Sequence, residues 1–245
     1  MPTAKTYFVA DLHLFAQRSQ GHAHLRSMRQ LAAQAETFVL GGDIFDFRWS
    51  TLGSSAATVA AASAWLTDLT KAAPRCQFHM LLGNHDHHDP FIDALEGLCN
   101  RQENLSWHPY FVRMGDSFFL HGDAADRDGT EASLTNARQQ AQGHTHRTRG
   151  RAASWLYDVA IHAGLHRPVP VFAYPKRRTA RRLLSYMNEV GHGPETGVEH
   201  VYFGHTHRPM SNYRYRGVKF HNGGAPIKGV GFRIVSAHVR RGKAA

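Results

Sequence analysis

Only two cysteines, Cys76 and Cys99, occur among 245 residues, and they form neither a CxxC pair nor a disulfide framework. Cross-links are therefore not what stabilises this chain, and two thiols in a reducing cytoplasm are expected. Long apolar runs are also missing. The longest, near Val59–Leu66, is far short of the roughly 20 residues a membrane-spanning helix needs. The N-terminal residues Met1-Pro2-Thr3-Ala4-Lys5 lead straight into a β-prone run, with no apolar segment of the signal-peptide kind. No linker, repeat or low-complexity tract interrupts the chain, so one domain spanning 1–245 is expected. Acidic residues are few, 19 against 29 Lys and Arg, which leaves a net charge of +10. A field of that sign attracts phosphates, nucleic acid or an anionic membrane surface. The excess is concentrated: Arg147 to Arg182 holds nine basic residues and one acid, Asp158.

What is present is a regular alternation of short β-prone runs and helical patterns. Strands are expected at Thr6–Ala10, Thr37–Leu40, Gln77–Leu82, Phe111–Met114, Ser117–Leu120, His200–Phe203, Ser211–Tyr215, Val218–His221 and Phe232–Val239. Helices are expected at His24–Ala35, Ser55–Ala73 and Phe91–Leu98, the second ending at Pro74. Strand–helix alternation in the first half favours a parallel sheet. The closely spaced C-terminal strands should pair as hairpins, with a tight turn at Tyr215-Arg216-Gly217-Val218. Residues 126–197 fit neither pattern. They read as three helices, Glu131–Gln142, Ala152–Gly164 and Lys176–Val190, forming a basic and apolar helical insertion, or cap, over the crevice.

Five short blocks carry the chemistry: Asp11-Leu12-His13, Gly42-Asp43-Ile44-Phe45-Asp46, Gly83-Asn84-His85-Asp86, His121-Gly122-Asp123 and Gly204-His205-Thr206-His207. Each follows an apolar β-prone run. Strand ends are where an α/β fold gathers functional side chains into one crevice. Asp11 and His13, two apart, can face the same side of an extended chain. Asp43 has two oxygens and can bridge two cations. Asn84, His121, His205 and His207 add neutral oxygen and nitrogen donors. Such a mixed set suits two divalent ions, manganese first, with iron or zinc as alternatives. Paired ions of this kind serve in-line displacement at phosphorus. The tetrapeptide Gly143-His144-Thr145-His146 repeats that of Gly204–His207. It follows a polar helical run rather than a strand, so His205 and His207 are taken as the ligands.

The five blocks resemble the D-x-H, G-D-x-x-D, G-N-H-[DE], lone-His and G-H-T-H pattern of the calcineurin-like metallophosphoesterases, over almost the whole chain. The resemblance implies an α/β fold, a two-sheet mixed β-sandwich flanked by helices, with the site at the strand ends. It implies one ion held by Asp11, His13, Asp43 and His207, and a second held by Asp43, Asn84, His121 and His205. It places His85 against the substrate phosphate as acid or charge stabiliser. A water activated between the ions would then attack phosphorus. Asp86, next in sequence, is the expected partner that orients His85. Asp46 and Asp123 are expected behind the site as acceptors that fix histidine tautomers.

Chain size and the basic insertion look like the UDP-2,3-diacylglucosamine hydrolases of lipid A synthesis, peripheral membrane enzymes that cleave a pyrophosphate. That resemblance implies an anionic phosphate-ester substrate and contact with anionic lipid on the inner face of the membrane. Those hydrolases commonly carry G-N-R-D where this chain has Gly83-Asn84-His85-Asp86. Another phosphodiester or phosphomonoester therefore stays open as substrate. A nucleic-acid phosphodiesterase fits the net charge, but no nucleic-acid-reading motif accompanies it. A non-catalytic scaffold would be expected to have lost ligands, and none is lost.

Overall fold

The computed structural model describes residues 5–126, 130–142 and 172–240. The expected helix Ala152–Gly164 and the repeat Gly143–His146 lie outside the described residues. Among the described residues, ten strands form two sheets of five. In the first, β1 (Thr6–Val9), β2 (Thr37–Gly41), β3 (Gln77–Leu81) and β4 (Leu105–His108) run parallel, and β10 (Val235–Ala237) pairs antiparallel with β1. In the second the order is β5 (Phe111–Met114), β6 (Ser117–Leu120), β7 (His200–Phe203), β9 (Val218–Asn222) and β8 (Met210–Tyr215). There β6, β7 and β9 are parallel, while β5 and β8 are antiparallel edges. The β8–β9 turn places Arg216 at φ 47° and Gly217 at φ 82°. Two positive φ values in succession are what a tight hairpin requires.

The alternation of side chains along each strand sorts the core into three layers. Outward from the first sheet, Phe38, Leu40, Phe78, Met80 and Leu82 pack under helices α1 (Leu25–Ala32), α2 (Ser55–Ala72) and α3 (Asp89–Cys99). Between the sheets, Phe8, Val39 and Leu81 meet Phe119 and Tyr202. Outward from the second sheet, Phe118, Leu120, Val201, Phe203 and Phe220 are covered by α5 (Lys176–Glu189), with Leu134 of α4 (Glu131–Gln142) alongside. On α5 the buried residues Ala180, Leu183, Leu184 and Met187 follow the spacing of one helical face. The opposite face exposes Arg177, Arg178 and Arg181. This two-sheet mixed sandwich flanked by helices is the architecture expected from the sequence.

One strand was not expected. Leu105-Ser106-Trp107-His108 has no apolar run, because β4 is the sheet edge and three of its four residues are only half-buried. Strand β10 is shorter than expected, and α1 ends at Ala32, where the chain tightens through Gln34 and Ala35 amides donating three residues back. Cys76 is buried and Cys99 half-buried, and the two are not joined by a disulfide. Among the described residues no helix is long and apolar enough to cross a membrane.

Candidate metal centre

Each block begins where a strand stops, and the stop is abrupt. Asp11, His13, Asp43, His205 and His207 have φ between 47° and 62°. The left-handed region is strained for residues with a Cβ and is common at functional sites. Backbone bonds between neighbouring strand ends hold it here. Asp11 N–H donates to the Gly42 carbonyl at 3.1 Å, and His13 N–H to the Asp43 carbonyl at 2.9 Å. Alternate residues anchor the same loops, since Leu12, Leu14, Ile44 and Phe45 are fully buried. Phe45 alone meets Phe15, Trp65 and Phe91, and removing such a ring costs about 3–5 kcal/mol. Gly83 and Gly204 let the loops close. A Cβ on Gly83 would lie 2.2 Å from Asp43 Oδ1, and one on Gly204 2.6 Å from Asp11 Oδ2.

The structure brings all seven candidate ligands together in two groups that share Asp43. In the first, His13 Nε2 lies 3.1 Å from His207 Nε2 and 3.9 Å from Asp43 Oδ2, and His207 Nε2 lies 3.7 Å from Asp11 Oδ1. In the second, Asn84 Oδ1 lies 3.2 Å from His121 Nε2 and 3.1 Å from His205 Nδ1, and His121 Nε2 lies 3.5 Å from Asp43 Oδ2. Asp43 Oδ2 thus faces both groups, while Oδ1 accepts the His85 amide at 2.8 Å. The carbonyl of Gly41 lies 3.2 Å from His121 Nδ1, which turns Nε2 inward as the donor atom.

The electrostatics of this cluster ask for a cation. Burial pushes the Asp11 carboxyl up to about 7, aided by Asp43. Burial acts on Asp43 as well, but the charges of His121 and His85 outweigh it and hold that carboxyl well below its usual range. Burial and then His13 depress His207, which is therefore a neutral, ligand-ready imidazole. Asp11 Oδ2 is buried with no hydrogen-bond partner among the described residues. An unpaired buried carboxylate oxygen costs free energy unless a cation satisfies it. Ligand atoms of Asp11, His13 and His207, and of Asp11, Asp43 and His121, lie close enough for each set to hold an ion. The oxygen and nitrogen donor set fits two divalent ions.

His85 stands beside the first group, its ring edge-on to His13 with centroids 4.8 Å apart. Its orienting partner is not Asp86. The Asp86 carboxylate accepts main-chain amides instead, Gly83 N–H at 2.6 Å and Ile44 N–H at 2.9 Å. Asp86 therefore splices the second and third blocks together, and its direct place beside the imidazole is corrected. The partner is Asp46. Its Oδ1 lies 3.0 Å from His85 Nδ1 and its Oδ2 3.3 Å from His13 Nδ1. Asp123 is corrected too. It forms a forked pair with the buried Arg138, at 2.7 and 3.0 Å, rather than a bond to an imidazole. Its role is to satisfy that guanidinium.

Three positioning groups were not foreseen. Asn222, fully buried at the end of β9, donates to the Gly204 carbonyl at 2.8 Å and to Thr206 Oγ1 at 3.2 Å. An Asn before two glycines was its only sequence signal. Asp126 and Tyr174 reach His205 from the other side. Asp126 Oδ1 lies 3.0 Å from His205 Nε2 and accepts the Tyr174 hydroxyl at 2.7 Å. Nothing in their sequence surroundings marks either.

Strand-end carboxylates and imidazoles around a shared Asp43, with an oriented histidine beside them, define a metal-dependent phosphoesterase. The family model for calcineurin-like phosphoesterases matches residues 4–209, and the chain belongs to that family. A curated relative, the UDP-2,3-diacylglucosamine hydrolase of Pasteurella multocida (strain Pm70), is 26% identical over 219 residues, covering 83% of this chain and 82% of the relative. A solved dimetal phosphatase from Danio rerio is similar with TM-score 0.47 and 16% identity, covering 93% of this chain and 89% of that one.

Proposed function

We propose that this enzyme hydrolyses a phosphodiester or pyrophosphate bond, with UDP-2,3-diacylglucosamine or a related lipid-linked nucleotide as substrate. The observation that carries the reaction type is the convergence of seven donors into two groups around Asp43, beside the Asp46–His85 pair. The relative's name supports the substrate class. Two divalent ions, manganese by preference, supply Lewis acidity and an activated water when bound. The chain's own residues do the rest. Asp11, His13, Asp43 and His207 hold one ion, and Asp43, Asn84, His121 and His205 the other. Asp46 fixes His85 through Nδ1, which leaves Nε2 as the atom offered to the leaving oxygen. Burial works against protonation of His85, but Asp43 and Asp46 outweigh it and raise its pKa, as a proton donor near neutral pH requires. The basic face of α5 fits an anionic membrane surface that would present such a substrate.

The test is a manganese-reconstituted panel of UDP-diacylglucosamine, other nucleoside diphosphate conjugates, cyclic nucleotides, oligonucleotides and aryl phosphates. Preferential turnover of the lipid-linked nucleotide is expected. Preference for oligonucleotides, with steeply salt-dependent binding, points instead to a nucleic-acid phosphodiesterase. His85→Ala should lose most turnover and keep both ions, and near-normal turnover removes its role. Co-sedimentation with vesicles that ignores anionic lipid content removes the membrane assignment.

A further inference from the structure

We propose that Arg18 binds the phosphate on the leaving-group side of the scissile bond, and so favours a pyrophosphate over a simple ester. The proposal rests on the placing of His85 at the leaving oxygen. Arg18 lies in the turn that follows the first ligand block. Its Nη2 is 3.7 Å from Asp46 Oδ2, while Asp46 Oδ1 is 3.0 Å from His85 Nδ1. One buried carboxylate therefore sets a guanidinium and an imidazole side by side.

The turn that carries Arg18 is anchored on both sides. Ala16 N–H donates to the His13 carbonyl at 3.1 Å, and Ser19 N–H to the Ala16 carbonyl at 3.0 Å. Ser19 Oγ donates to the Leu12 carbonyl at 2.6 Å and accepts the Gly21 amide at 3.0 Å. Gln20 N–H donates to the Pro226 carbonyl at 2.7 Å, which ties the turn to the chain beyond β9. Arg18 thus starts from a fixed backbone, next to the residues that hold the first ion.

Exposure marks the side from which substrate reaches this group. Asp11, His13, Asp43 and Asp46 are at most 2% exposed. His207, Arg18 and His85 are 22%, 20% and 12% exposed. These three form the open side of the first metal group, and the charge of Arg18 reaches both rings. The chemistry of the leaving group decides what Arg18 can do there. An ester leaves as an oxygen bonded to carbon, with no further charge beside it. A pyrophosphate leaves as a second phosphate, whose non-bridging oxygens share a negative charge next to the leaving oxygen. With His85 at that oxygen, those oxygens fall on the side of Arg18. A guanidinium fork binds such a pair of oxygens in two parallel hydrogen bonds.

The experiment compares two substrates on the manganese-loaded enzyme and counts its ions by elemental analysis. One substrate is bis-p-nitrophenyl phosphate, an ester. The other is UDP-diacylglucosamine, or the nucleoside diphosphate conjugate that wild type turns over best. Arg18→Gln should lower kcat/KM for the pyrophosphate about tenfold to a hundredfold more than for the ester, the loss of a hydrogen bond between charged groups. Arg18→Lys should recover part of that difference, because it keeps the charge and loses the fork. Both variants should hold two ions. Equal losses on the two substrates overturn the assignment. So does the loss of an ion in both variants, since that marks Arg18 as a support for Asp46 alone. Wild type that cleaves the ester and no pyrophosphate removes the substrate reading and the role of Arg18 together. Wild type that cleaves both, with equal losses in Arg18→Gln, removes the role of Arg18 alone.

Discussion

Asp46→Asn should damage two functions through one atom. Asp46 Oδ1 accepts the Trp49 amide at 2.8 Å and lies 3.0 Å from His85 Nδ1. In the variant the single amide oxygen keeps that position, because both neighbours offer protons to it. The new NH2 then faces His13 Nδ1, where Oδ2 stood at 3.3 Å. Two donors cannot face each other, so His13 must move its proton to Nε2, the atom pointing at His207 and Asp43. A protonated Nε2 cannot ligate a metal. Losing the Asp46 carboxylate behind His13 and the ligating tautomer should weaken the first ion about 10- to 100-fold. The loss of the carboxylate charge also withdraws part of what raises the His85 pKa. A proton donor works below its pKa, so the alkaline limb of kcat should move to lower pH. Manganese titration and a pH–rate profile check both effects. Wild-type metal affinity together with an unmoved alkaline limb refutes the assignment of Asp46.

Asp86→Asn should behave differently: one of two buried amides meets an NH2 instead of an oxygen, costing about 1–3 kcal/mol in urea unfolding while the alkaline limb stays in place. An unchanged urea midpoint argues against the splice. Metal-free Asp11→Asn should be more stable than wild type above about pH 7. Burial raises this carboxyl to about 7, so its stabilising contribution is present at low pH and lost as pH rises through that value, a loss the amide does not share. Equal midpoints at alkaline pH count against this. Acid should weaken the fold through two histidines that belong to neither metal group. Burial with His200 lowers His221 to about 3, and burial with His108 lowers His79 to about 4. Their stabilising contribution is full above the unfolded pKa of about 6.5 and falls below it, by roughly 1 kcal/mol each at about pH 5.5. A His79→Gln, His221→Gln double variant should show a flatter stability profile from about pH 7.5 to 5.5, and an equally steep one refutes the assignment.

The sandwich was legible because most of its central strands are apolar runs such as Tyr7-Phe8-Val9 and Val201-Tyr202-Phe203, and because β1, β2, β3, β6 and β7 each lead into a block of metal-binding side chains. Edge strand β4 was not, since an edge needs only one buried residue in four. The seven donors were legible by type and order. Asp46 was legible as a supporting acceptor, but which imidazoles it serves, and the places of Asp86, Asp123 and Asp126, were not, for a physical reason. Which aspartate reaches which imidazole depends on side-chain direction across loops, and sequence adjacency is a poor guide to that. Asp86 follows His85 yet turns to backbone amides. Asp46 is 39 residues away and orients the ring. Asp126 and His205 are 79 positions apart.

The left-handed residues explain why the site is both rigid and dependent on the core. Asp11, His13, Asp43, His205 and His207 each cost about 1–2 kcal/mol of backbone strain. Their sum approaches the 5–15 kcal/mol net stability of an ordinary domain. Such a conformation persists only if its surroundings leave no alternative. The D-x-H spacing supplies that constraint. Asp11 and His13 alternate with Leu12 and Leu14, and both leucines are 0% exposed. Letting Asp11 or His13 relax to ordinary φ would swing a leucine out of the core. The same holds for Asp43, coupled to Ile44 and Phe45. Hydrophobic burial therefore sets the aim of the ligands, and the ligand carboxylates in turn tie the loops, Asp43 through the His85 amide and Asp11 through the His205 amide at 2.9 Å. A metal bound here meets donors already in place and does little of the organising itself.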